Sequence, residues 1–148
     1  MYEGKENLKK EEYISKKLAD VWGCSLYKAP ISYYCDFFAT RRERVLGMVE
    51  LKEKIAIDKY DSLLSKATQA ITAFNIAKGF NVPYIQAHYN LEKKIVLYKE
   101  LKEDDFKKYG VHLIHTSNNA GRRLKDGDYP FYDFVLKIPN SEFKKVEF

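Results

Sequence analysis

The chain has 148 residues, of which 45% are hydrophobic and 32% charged, with a net charge of +5 and a pI near 9.0. That length suits one domain able to bury a real core, and the balance excludes a disordered chain. No apolar run approaches the roughly 20 residues that cross a bilayer, and the opening MYEGKENLKKEEY lacks the hydrophobic stretch of a signal peptide, so a soluble, intracellular protein is expected.

Residues 5–22 read as a helix, with Leu8, Ile14, Leu18, Val21 and Trp22 near one stripe and Gly23 as its stop. A short strand is expected at 25–28, ended by Ala29-Pro30. The aromatic run 31–38 reads as a buried strand. The polar stretch 39–44 is a connector short enough for a hairpin, and 45–52 is a third strand, antiparallel to the second. Residues 62–78 read as a helix carrying Leu63, Leu64, Ala67, Ala70, Ile71, Phe74 and Ala77 on one face. Asp61 or Ser62 would cap its start, and Gly79, Asn81 and Pro83 its end. Two strands follow at 82–89 and 94–99, around a turn at 90–92. A short helix is expected at 103–109, a polar loop at 118–128, a strand at 134–138 and a short helix at 141–146. The fold class is α/β: an αβββαβ core with a mixed central sheet flanked by helices, plus a C-terminal extension, in a single domain over residues 1–148.

Asp36 and Glu50 each interrupt an otherwise apolar strand, where an uncompensated carboxylate is costly. Glu50 and Lys52 are two apart on one strand and share a face. A hairpin with the preceding strand would bring Asp36 beside them. Two hard oxygen ligands suit Mg²⁺ or Mn²⁺, the carbonyl of Leu51 adding a third. Such an ion would polarise a phosphodiester and acidify a water, and Lys52 would hold that water or neutralise developing charge.

The spacing D-x13-E-x-K over Asp36, Glu50 and Lys52, placed in adjacent expected strands after one helix and before another, resembles the signature of the PD-(D/E)XK nuclease superfamily, whose core is αβββαβ. Cys35 stands where the family has a proline before the aspartate. The family's E-x-x-(apolar)-x-x-x-L pattern on the first helix is matched by Glu11, Ile14 and Leu18, with Glu12 offset by one. The resemblance implies that Glu11 orients the ion or its water; a solvated surface glutamate is the plainer alternative. The helix after the third strand often brings lysine or glutamine to the site, which points to Lys66 and Gln69, although both also read as a solvated helix face. Asn118–Asp128 and Val135–Pro139 look like the C-terminal part of small phage-encoded nucleases of the superfamily, which implies a Gly-flanked basic loop with Arg122 and Arg123 as phosphate contacts; a plain surface loop is the alternative.

Arg41, Arg42 and Arg44 form the densest positive cluster; they would grip a nucleic-acid backbone or merely charge a hairpin tip. Tyrosines, twelve in number, and nine phenylalanines offer stacking surfaces for bases, most of them expected in the core. Cys24 and Cys35 lack metal-ligand spacing and read as reduced core thiols. His88, His112 and His115 have no zinc-site spacing and read as strand packing or surface. No phosphate-binding glycine motif occurs.

The leading expectation is a divalent-metal-dependent endonuclease acting on DNA, with RNA not excluded. A non-cleaving nucleic-acid-binding module and a structural or assembly protein, in which the acids merely pair with Lys52 or Arg44, are the alternatives. Homodimerisation stays open at this level.

Overall fold

The computed structural model describes residues 4–115 and 132–148. Helix α1 (Lys5–Trp22) buries Ile14, Ser15 and Leu18 and ends at Gly23, whose φ of 65° lets its N–H return to the carbonyl of Ala19. Strand β1 (Ser25–Lys28) pairs antiparallel with β2 (Phe37–Arg41), and β2 with β3 (Arg44–Glu53).

Two expectations change here. The run 31–38 is not one strand: Ile31–Tyr33 is a 3-10 turn, and Tyr34 is left-handed at φ 55°. Pairing begins only at Phe37, so Asp36 stands just before β2. The connector 39–44 is mostly strand, because Arg42 and Glu43 alone make the turn, at φ 51° and 64°. Positive φ at both turn residues matches the twist of the flanking strands.

The stretch 62–78 also divides. Ser62–Lys66 is strand β4, and helix α2 begins at Ala67 and runs to Gly79. The doublet Leu63-Leu64 satisfies helical and strand periods alike, but burial alternates, with Leu63 and Ser65 inward and Leu64 less so. Pairing with the distant strand β8 (Tyr132–Pro139) decides the outcome, and no local signal contains that partner.

Strand β5 (Tyr84–Asn90) returns parallel to β3, and β6 (Ile95–Leu101) pairs antiparallel with β5. Helix α3 (Glu103–Tyr109) precedes β7 (Val111–His115), which was not expected, and β8 (Tyr132–Pro139). The expected C-terminal helix is instead a 3-10 turn, Asn140–Glu142, and strand β9 (Lys144–Glu147), which closes the edge beside β6.

The larger sheet has the order β1-β2-β3-β5-β6-β9, and the smaller β4-β8-β7. One parallel pair in an otherwise antiparallel sheet makes it mixed, as the sequence implied. Alternate residues of β3 face opposite layers. Val49 and Leu51 pack with Ile14 and Leu18 of α1, while Met48 packs with Ala70, Ala73 and Ala77 of α2. Small residues on α2 let it sit close over the centre of the sheet, on the face that carries Glu50 and Lys52.

Leu136 of β8 is fully buried and belongs to the cluster that joins α2 to both sheets. Leu136→Ala is expected to cost about 2–5 kcal/mol, the usual range for such a cavity. Urea unfolding measures it, and a loss below about 0.5 kcal/mol, the scale of surface substitutions, would show that the smaller sheet is not part of this core.

Candidate active site

The site forms where β2 has not yet begun and β3 is well under way. The backbone N–H of Asp36 bonds the carbonyl of Val49, at 2.9 Å. Its side chain turns along β3, and Oδ2 accepts from the N–H of Leu51 at 2.7 Å. In an extended strand the N–H and C=O of one residue point to the same side. The carbonyl of Leu51 therefore faces the flank on which Asp36 lies.

Glu50 and Lys52 project from β3 toward α2, with Lys52 Nζ 3.3 Å from Glu50 Oε1. Gln69, on the first turn of α2, joins both: its amide nitrogen donates to Glu50 Oε1 at 3.2 Å, and its oxygen accepts from Lys52 at 3.3 Å. It is thus not on a solvated face. From the other side Glu11 of α1, mostly buried, meets Lys28 of β1 at 3.0 Å, and Lys28 lies 3.6 Å from Asp36 Oδ1. Glu12, by contrast, is exposed and pairs with Lys16 along the helix.

Electrostatics set Glu50 apart. The residue is only 4% exposed. Burial and the charge of Asp36, with a smaller push from Glu11, drive its carboxyl up to about 7, even though Lys52 pulls the other way. The thiol of Cys35 is pushed up to about 12, chiefly by burial and then by Glu50 and Asp36, so it is an inert packing group rather than a nucleophile.

Behind Glu50 lies a polar row of which the sequence singles out only His88, as a strand-packing or surface residue. Gln86 and His88 stand opposite Glu50 and Lys52 in the parallel pair. Gln86 donates to Ser65 Oγ and Tyr84 Oη. His88 is packed edge-on to Phe143, and burial followed by the charges of Lys54 and Lys52 holds it well below its ordinary value and hence neutral. Lys54 donates to the carbonyl of Leu64 at 2.8 Å; burial, and then Lys52, lower it to about 8. Lys28 was missed as well. Its only sequence signal is strand parity, since it stands opposite Phe37 across the β1–β2 pair.

The basic residues separate. Arg41 is engaged within the fold: its guanidinium donates to the carbonyls of Gly23 and Trp22, tying the hairpin to the end of α1. Arg42 and Arg44 are exposed on the hairpin. Lys66, just before α2, is exposed and 3.9 Å from Asp133. Arg122 and Arg123 lie outside the described residues. Cys24 is half-buried, and the ring of His112 contacts the carbonyl of Tyr109.

Among the described residues, no three His, Cys, Asp or Glu side chains gather into a metal cage. Two carboxylates and one backbone carbonyl are nevertheless a sufficient protein share for Mg²⁺, which keeps several waters and takes further oxygens from a phosphate. The carboxyl of Glu50, buried beside a second acid and not relieved by Lys52, is the observation that fits a cation.

A family model described as "Phage putative PDDEXK endonuclease" matches residues 1–146. No curated protein matches the chain. Among solved structures, the chain is similar to the 1.6 Å structure of Archaeoglobus fulgidus Hjc, a Holliday junction resolvase from an archaeal hyperthermophile. The two share 17% identity with a TM-score of 0.46, over 86% of this chain and 88% of that one.

Proposed function

This chain belongs to the phage PDDEXK endonuclease family, and from that premise we propose that it hydrolyses DNA phosphodiester bonds with Mg²⁺ or Mn²⁺ held by Asp36, Glu50 and the carbonyl of Leu51. The raised carboxyl of buried Glu50 beside Asp36 carries the reading. A bound divalent ion would polarise the scissile phosphate and lower the pKa of the attacking water.

The chain's own groups then have distinct tasks. Glu50 must give up its proton to act as a ligand. Lys52, held by Glu50 and Gln69, keeps an ammonium where charge builds on the phosphoryl oxygens. Gln69 fixes both side chains in that arrangement. Glu11 and Lys28 place Asp36 from behind. Arg42, Arg44 and Lys66, with Arg122 and Arg123, would hold the phosphate backbone of the substrate.

The contact between Lys52 and Glu50 also fits the alternative of a structural ion pair. Lys52 does pull the Glu50 carboxyl down, but burial and the charge of Asp36 outweigh it, so the pair alone does not compensate this acid.

The deciding experiment incubates the protein with labelled single-stranded, duplex and branched DNA, in Mg²⁺, Mn²⁺ or EDTA. Cleavage that requires the divalent ion is expected. The same ions should raise the melting temperature, since a ligand of the native state stabilises it, and Asp36→Asn with Glu50→Gln should abolish both responses. Equal thermal shifts in parent and double variant would place the ion elsewhere.

A further inference from the structure

Three of the aromatic side chains gather away from the acids, and no task in phosphate hydrolysis accounts for them. Tyr33, on the 3-10 turn before Asp36, stands edge-on to Phe38 at 5.2 Å between ring centres and tilted to Phe80 at 6.0 Å. Phe80 follows the C-terminal end of α2 and is 54% exposed. These rings line an open cavity of about 620 Å³ together with Arg44 and Asn81, a volume within the range of about 300–1,000 Å³ common to small-molecule sites.

We propose that this cavity receives one unstacked nucleobase of the nucleic-acid substrate, so that the preferred substrate has unpaired nucleotides about six positions from the cut. The inference rests on the nuclease reading above and adds the class of substrate.

Each wall supplies part of base recognition. Aromatic faces bind any base by stacking, whatever its identity. Arg44, which lines the cavity, is matched to the phosphate that must accompany a base, and its planar guanidinium can also stack. Asn81 offers a donor and an acceptor on one amide, suited to a base edge.

Position argues the same way. Phe38 pairs with Met48 in the β2–β3 register, and Met48 and Glu50 are alternate residues of β3 on the α2 face. From Arg44 to Glu50 is six residues of strand, about 20 Å. A strand bound at both places would therefore span about six nucleotides at roughly 3.4 Å each, if stacked. Tyr33 is three residues from Asp36 on a turn locked by the left-handed Tyr34, so cavity and acids are held by one short segment.

The test uses the full chain in Ca²⁺ to suppress cutting. Binding is measured to a fully paired duplex and to the same duplex with a short unpaired stretch that contains the fluorescent base 2-aminopurine. The parent is expected to favour the unpaired form by about tenfold, on the scale of one stacked base, with a change in base fluorescence. Phe80→Ser should lose that preference and the fluorescence change while keeping the duplex affinity and the melting temperature. Phe80→Trp should retain them. Equal affinity of parent and Phe80→Ser for the unpaired form would overturn the proposal. So would self-association that Phe80→Ser abolishes without changing base binding, since the face would then belong to a protein partner. Metal-dependent cleavage of the same DNAs is scored separately. Intact cleavage without the Phe80 effect sinks only the base site; binding and fluorescence as expected without cleavage sinks only the nuclease reading.

Discussion

Lys52→Ala is expected to slow single-turnover cleavage by about a hundredfold or more, the typical cost of losing one group that stabilises transition-state charge, with little change in DNA affinity measured in Ca²⁺. Charge accumulates on the phosphoryl oxygens only during attack, so an ammonium placed there favours the transition state over bound substrate. Affinity should persist because the exposed Arg42 and Arg44 are untouched. The structure adds a second consequence. Lys52 is one of the forces that pull the Glu50 carboxyl down, so its removal should move the alkaline rise of the residual activity to higher pH. Lys52→Arg keeps the charge and should recover part of the rate. Thermal melting controls for folding, as Lys52 also bonds Gln69. Cleavage at the parent's rate in a well-folded Lys52→Ala protein would remove the residue from the mechanism, while a collapsed fold would favour the structural ion pair.

The central part of this architecture is legible from residues near one another in sequence. The stripe and glycine stop of α1, the β2–β3 hairpin and the spacing of Glu50 and Lys52 are set by local periodicity and turn chemistry. Two acids in apolar surroundings mark a place where something must compensate them, without the fold being known. What escaped is non-local. Ser62–Lys66 becomes a strand because β8, some seventy residues later, pairs with it. Residues 144–147 are extended because β6 has a free edge there. Lys28 looks like an ordinary surface residue, and Gln69 reads equally as site residue or solvated face; only the crossing of α1 over β1 and of α2 over β3 turns them toward the acids. Exposed aromatics such as Phe80 escape for the opposite reason: composition counts rings but does not say which of them the core leaves uncovered.

Glu50 should announce itself in the stability of the metal-free protein. Its carboxyl stands near 7 in the fold against an ordinary 4.5, so between those values the native state holds a proton that the unfolded chain releases. Stability is then fully present below about pH 4.5 and falls as pH rises through 7, because the unfolded state binds fewer protons in that window. The stability lost across that window is on the order of a few kcal/mol. Glu50→Gln has no proton to lose there. It is therefore expected to be more stable than the parent at pH 8 in EDTA, and to approach it near pH 5. His88 titrates in the opposite sense, being held neutral by burial, but it is common to both proteins and cancels in their difference. Adding Mg²⁺ or Mn²⁺ at pH 8 should reverse the ranking: the cation stabilises the ionised carboxylate of the parent and finds one ligand fewer in the variant. Urea titrations from pH 5 to 8, with and without the ion, give both answers. Parallel stability curves for the two proteins in EDTA would mean that Glu50 is ionised and already compensated, leaving a structural ion pair with Lys52 and no place for a divalent cation.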